Sequence, residues 1–205
     1  RRDGVDDQIH RDGAGMSFRI DHPDGWIGVP EYWPYPTPAG GTVDSPQEWA
    51  DALADDLNRH HVLAPEVRAR VVTVLLLAAQ RSLSSETRLF VAFAAWEGPA
   101  YLLEMRELPV AVLGMGSLAE FAGANDPEQL GAPFSEPFVT ESGLEGVRCY
   151  RYLAADHGVI CGRLDYAFAT PESILTITGG ELDLVDFEVL KVGAAALAAT
   201  VSAIA

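Results

Sequence analysis

Lysine is almost missing from this chain: Lys191 stands alone beside thirteen arginines in 205 residues. Positive charge is scarce altogether, with 14 Lys and Arg against 30 Asp and Glu, a formal net charge of −16 and a pI near 4.5. Such a surface repels phosphate backbones and anionic headgroups, which excludes nucleic acid and acidic membranes as partners over any broad face. The arginine bias and abundant alanine match GC-rich coding and point to a high-GC bacterial source.

Long apolar runs are lacking too. Val71 to Ala79 is nine residues between arginines and Val192 to Ala205 is fourteen, both short of the roughly 18 to 20 that cross a bilayer. The expectation is no membrane insertion, with both runs serving as buried helix faces. Arg1 to Gly15 is polar and rich in Gly and Asp, without an apolar signal-peptide core. It reads as a flexible N-terminal arm, residues 1–15, ahead of a single domain at 16–205, with Met16 a candidate start.

Cysteine is limited to Cys149 and Cys161, too few for a disulfide framework. If residues 155 and 159 pair across a hairpin turning near Asp156, His157 and Gly158, Cys149 faces Asp165. That position lies four residues past Cys161, about 13 Å along a strand, whereas a disulfide tolerates roughly 7 Å between Cα atoms. Two reduced thiols are expected, which suits a cytoplasmic location.

What is present is a 48% hydrophobic composition, enough for one domain to bury a core without disulfide or metal. Phe18 and Ile20 alternate with polar neighbours, His22-Pro23-Asp24-Gly25 supplies turn residues, and Trp26 to Val29 resumes an extended run, which reads as a first hairpin. Pro30 to Gly41 holds four prolines with Tyr32, Trp33 and Tyr35, and suits neither helix nor central strand. Ser45, Pro46 and Glu48 form a capping box that opens a helix with Trp49, Leu53 and Leu57 on its buried stripe. Pro65 opens a second helix to about Arg81, apolar nearly all round from Val71 to Ala79 and so expected to be well buried.

Most of the remainder reads as sheet. Arg88 to Glu97 and Ala100 to Leu108 flank Gly98-Pro99 as a hairpin. A helix turn at Ser117 to Ala122 and an irregular stretch at Asn125 to Pro133 follow. Phe134 to Thr140, Gly146 to Leu153, Val159 to Ala169 and Ser173 to Thr178 complete an antiparallel set. In Val159 to Ala169, Ile160, Leu164, Tyr166 and Phe168 share a core face, while Arg163 and Asp165 face water or a partner. The closing helix carries Phe187, Leu190, Ala194, Leu197, Val201 and Ile204 at spacings of three and four, with small residues from Gly193 to Ala199 for close approach. The fold class is therefore α+β, an antiparallel sheet with helices packed on its faces.

The strings Gly25-Trp26-Ile27-Gly28-Val29-Pro30, Asp165-Tyr166-Ala167-Phe168-Ala169-Thr170-Pro171, Leu175-Thr176-Ile177 and Ala199-Thr200-Val201-Ser202-Ala203-Ile204, in this element order over residues 16–205, resemble the PsbP-like superfamily. The chain departs from that pattern in its Pro65 to Arg81 helix and its Pro-rich insert. The resemblance implies an α/β/α sandwich of a kind that mostly binds other proteins. Its members include a Ran-binding nuclear transport factor, extrinsic photosystem II subunits, actinobacterial lipoproteins and chaperones for secreted effectors. It carries over no catalytic residue.

Apparent chemical motifs each have a simpler explanation. Gly114-Met115-Gly116-Ser117-Leu118-Ala119 matches a dinucleotide fingerprint in letters, yet Gly123 and Pro127 stop the following helix and no parallel βαβ unit precedes it. Ser117 and Glu120 explain it as a capping box. His60-His61 are adjacent on a helix and point about 100° apart, so they fit a helix C-terminus better than one metal ion. Asp156-His157 sit together in a turn, Cys149 with His157 is a strand thiol first, and Glu97, Glu104 and Asp165 read as solvated strand faces before paired carboxylates. No catalytic, cofactor-binding or metal-ligating residue is assigned, and no cofactor is expected. The partner-binding candidates are Tyr32, Trp33 and Tyr35, which either contact a partner or cover an end of the protein's own sheet. Two functions remain: a noncatalytic interaction module (adaptor, chaperone or assembly subunit) that holds another protein or itself, or a small-molecule enzyme or binder with a cleft between sheet and helices.

Overall fold

A computed structural model describes residues 17–37, 41–84, 87–112, 116–155 and 158–204. The chain runs through β1 (Phe18–Arg19), β2 (Trp26–Gly28), β3 (Tyr35–Pro36), β4 (Thr42–Val43), α1 (Pro46–His61), α2 (Pro65–Ser84), β5 (Arg88–Phe93) and β6 (Ala100–Pro109). A 3-10 turn at Val110–Val112 leads to α3 (Leu118–Phe121), β7 (Phe134–Val139), β8 (Glu145–Ala154), β9 (Ile160–Ala169), β10 (Ser173–Glu181), α4 (Leu184–Ala199) and β11 (Ser202–Ala203). The arm at 1–15, Met16, Gly114, Met115, Asp156 and His157 lie outside the described residues.

Seven strands form one antiparallel sheet in the order β2-β5-β6-β10-β9-β8-β7. The hairpins β5-β6, β7-β8, β8-β9 and β9-β10 join neighbours in sequence, as short connections between antiparallel strands require. Helices cover both faces. On one, α4 lies over β9 and β10, and Phe187, Leu190, Ala194 and Leu197 interlock with Leu103, Leu164, Tyr166, Phe168 and Ile177. Small residues bring this helix close: Trp26 donates its indole N–H to the Gly193 carbonyl at 3.1 Å, and a Cβ on Gly193 would meet the Trp26 ring at 3.3 Å. On the other face, α1 and α2 pack Trp49, Ala50, Val71 and Leu75 against Leu89 and Val91.

Local signals explain most element ends. Ser45 caps α1 by accepting from the Glu48 N–H, and Asp183 caps α4 by accepting from the N–H groups of Val185 and Asp186. The Glu48 carboxylate reaches the Asp44 N–H at 2.8 Å, one residue earlier than a closed capping box would place it. At α3 the box is complete, with Ser117 and Glu120 each accepting from the other's backbone.

Several expectations are corrected. The first hairpin does not form: β2 pairs with β5, while β1 turns away to pair with β11 at the far end of the chain. Two or three residues cannot make a stable hairpin alone, so each strand joins whichever partner is already anchored. Accordingly the closing helix stops at Ala199, and Ser202–Ala203 leave it as a strand, with Ile204 exposed instead of on the helix stripe. In α2 the sides toward the sheet and α1 are buried, while Leu77 and Leu83 lie on the outward side and are exposed. Asp165 is not on a wet face, as it lies under α3 and its neighbouring loop.

Candidate functional site

Registers across the sheet place Glu104, Thr178, Asp165 and Cys149 in one row, strand by strand from β6 to β8, on the face that α2 and α3 share. α2 covers the β5-β6 end and α3 covers Val147, Cys149 and Ala167. An open trough of about 450 Å³ remains between them, lined by Arg81, Glu104, Cys161, Arg163, Thr178 and Gly180 among others.

The charges in and under this trough engage one another. Arg81 pairs with Glu104. Beneath the α3 side, the Arg151 guanidinium binds Asp165 Oδ2 at 2.8 Å, Asp126 Oδ2 at 3.2 Å and the Ala122 carbonyl at 2.9 Å. Thr178 Oγ1 donates to Asp165 Oδ1 at 2.8 Å, and Arg163 Nε stands 3.5 Å from Oδ2. Burial still pushes the Asp165 carboxyl up to about 6, against the pull of Arg151, Arg163 and Thr178. Gly123, at φ +77, is required here because a Cβ would sit 1.9 Å from Arg151 Nη1. This network pins the α3 loop to the sheet, and it has the form of a structural clamp.

The other chemical candidates are dispersed. Burial raises the Cys149 thiol against the influence of Arg151, which makes it a poor nucleophile; both cysteines are free, as the hairpin register implies, with Cys149 opposite Asp165. Glu97 lies exposed in the β5-β6 turn, away from the Glu104 and Asp165 row. His60 and His61 end α1, with the His61 ring 5.3 Å from Trp96. Among the described residues no group of three or more His, Cys, Asp or Glu is placed to hold a metal ion. None of the helices there is long and apolar enough to cross a membrane.

Tyr32, Trp33 and Tyr35 do come together. Tyr35 stands edge-on to Tyr32 at 6.4 Å and to Trp33 at 6.3 Å, and Trp33 in turn lies against Trp49 of α1 at 6.5 Å. All three are half-buried, and Trp33 and Tyr35 extend the α1-α2 core. The Trp33 indole N–H is buried without a hydrogen-bond partner among the described residues.

A further surface lies on α4. Val185, Val189 and Val192 are 75%, 46% and 74% exposed, and with Ala196 they form an outer stripe at spacings of four, three and four. The inner stripe from Phe187 is the one that core packing selects. The outer stripe carries the same signal, visible on asking what stays apolar once the inner stripe is assigned. No family model matches the chain, and no curated protein matches it.

Proposed function

We propose that the protein is a noncatalytic interaction module, an adaptor, chaperone or assembly subunit that holds another protein or a second copy of itself. The observation that carries this reading is the outer stripe of α4, where valines cluster in water on an otherwise acidic molecule. A contiguous apolar strip on a charged protein marks a contact surface more than chance exposure does. Tyr32, Trp33 and Tyr35 offer a second contact, since large rings add contact area at low ordering cost. The resemblance to the PsbP-like superfamily points the same way, and the two free thiols fit a cytoplasmic setting. Net acidity argues against nucleic acid as the partner.

The test is capture with purified protein against extract of the source organism, with wild type compared to a Val185→Asp, Val192→Asp variant. A defined partner or self-complex that the variant loses supports the proposal. A second reading, a small-molecule site in the trough, is favoured by its volume of about 450 Å³ and its arginine, threonine and thiol lining. Turnover or tight binding of a small molecule, abolished by Arg163→Ala while the α4 variant leaves it intact, would replace the first reading with the second.

A further inference from the structure

We infer that the groove between α4 and the β2-β5-β6 edge binds a small organic amine, a primary ammonium carried on an aromatic or branched apolar body. This goes beyond the interaction reading above and does not depend on it. The groove encloses about 490 Å³ and is lined by Trp26, Ala92, Phe93, Tyr101, Val189 and Val192 among others. That is the size and the apolar character of a small-molecule pocket. The registers set Ala92 between Trp26 and Tyr101 in one row, so a methyl group separates two rings and leaves the floor of the groove open.

The polar atoms of this lining decide what fits. Its side-chain donors are the Trp26 indole N–H and the Tyr101 hydroxyl, and both are spent, the first on the Gly193 carbonyl at 3.1 Å and the second on Asp186 Oδ1 at 3.3 Å. What remains are acceptors, the carboxylates of Asp24 and Glu188. The polar end of a ligand must therefore donate without accepting, and an ammonium has three donors and no acceptor. A carboxylate or phosphate would meet like charge and find no free side-chain donor. A peptide segment would bring backbone carbonyls that need donors too.

Charge points the same way. Asp24 is exposed in the turn that the Trp26 N–H closes on the Pro23 carbonyl, with Gly25 at φ +94, and it has no ion pair among the described residues. Lys191 takes Glu188 Oε2 from the other flank at 2.6 Å, so Asp24 is the carboxylate that the ammonium meets, with Glu188 Oε1 as a further acceptor. Beside Tyr101, the carboxylates of Glu181, Asp183 and Asp186 also lack a basic partner among the described residues. Burial, Asp186 and Asp183 push the Glu181 carboxyl up to about 6, and burial with Asp186, Glu181 and Asp183 raises the Tyr101 hydroxyl. Negative charge around the groove is thus left uncompensated by the chain, and a cation with an apolar body answers both the field and the rings.

Calorimetry on the full chain with phenethylamine as probe, compared with hydrocinnamate and butylamine, tests this. The expected result is one site per chain with sub-millimolar dissociation for phenethylamine, and binding roughly tenfold weaker or less for the carboxylate and for the ringless amine. Asp24→Asn, at an exposed position outside the core, should weaken phenethylamine about tenfold. Ala92→Leu fills the floor and should abolish binding, with a urea melt to show that the variant is folded. Butylamine bound as tightly as phenethylamine would be a cation gathered by the net charge of −16 alone and would overturn the site. So would equal binding of hydrocinnamate, or phenethylamine binding that is unchanged by Asp24→Asn or by a folded Ala92→Leu. Capture of a lysine-bearing peptide through Asp24, with no binding of phenethylamine, would overturn the small-molecule occupant.

Discussion

Arg151→Met removes the centre of the clamp under α3 while keeping most of its volume. The guanidinium it deletes is 5% exposed and holds Asp165, Asp126 and the Ala122 carbonyl. Asp165, equally buried, would keep Thr178 and the more distant Arg163. Breaking a buried ion pair from one side typically costs about 3 to 5 kcal/mol, a large share of the roughly 5 to 15 kcal/mol that stabilises a domain. At pH 8 a loss of about 3 kcal/mol is expected, and at a urea slope near 2 to 3 kcal/mol per molar this lowers the midpoint by about 1 M. The loss has a pH signature. Burial raises the folded Asp165 carboxyl from 3.8 to about 6, so in that window the folded state holds a proton that the unfolded state lacks. The resulting stability is present below the unfolded value and lost as pH rises through about 6. Without Arg151 the folded carboxyl rises further, so the penalty seen at pH 8 should shrink on acidification toward pH 5. Urea melts followed by tryptophan fluorescence from pH 5 to 8 provide the assay. A loss under about 1 kcal/mol at pH 8, or a gap that widens as pH falls, would refute the buried-clamp account.

Phe168→Ala, at a fully buried ring of the α4-side core, should cost about 3 to 5 kcal/mol in denaturant melts, and Trp26→Ala a similar amount with loss of the bond to Gly193; less than one would mean the registers are wrong. Both thiols should be alkylated after denaturation without reduction, while in the native state half-buried Cys161 reacts first and buried Cys149 is protected; a mass with no label would contradict the strand offset. Gly162→Ala places a Cβ 2.3 Å from Phe187 Cγ, so overpacking should destabilise by about 1 to 3 kcal/mol. An unchanged melting midpoint would show that α4 does not lie this close to β9.

Regular strands, turns and caps were legible in the chain because their causes are local. The Ser45-Pro46 start, the Ser117-Glu120 box, the β8-β9 register and the inner stripe of α4 from Phe187 to Leu197 rest on neighbours within a few residues, and the structure has them where spacing put them. The register alone already kept Cys149 and Cys161 apart. What the sequence left open depended on distant partners. Phe18–Arg19 pairs with Ser202–Ala203 across almost the whole chain, and no local pattern distinguishes that from a hairpin with Trp26. Asp165 looks like a solvated strand charge until α3 folds over it and Arg151 meets it from the next strand. Val192 belongs to a run expected to be a buried helix face, and only the placement of the sheet on one side of the helix leaves it, with Val185 and Val189, in water. Periodicity tells how many apolar faces a helix has, but which of them finds a partner within the same chain is decided by packing among elements far apart in sequence.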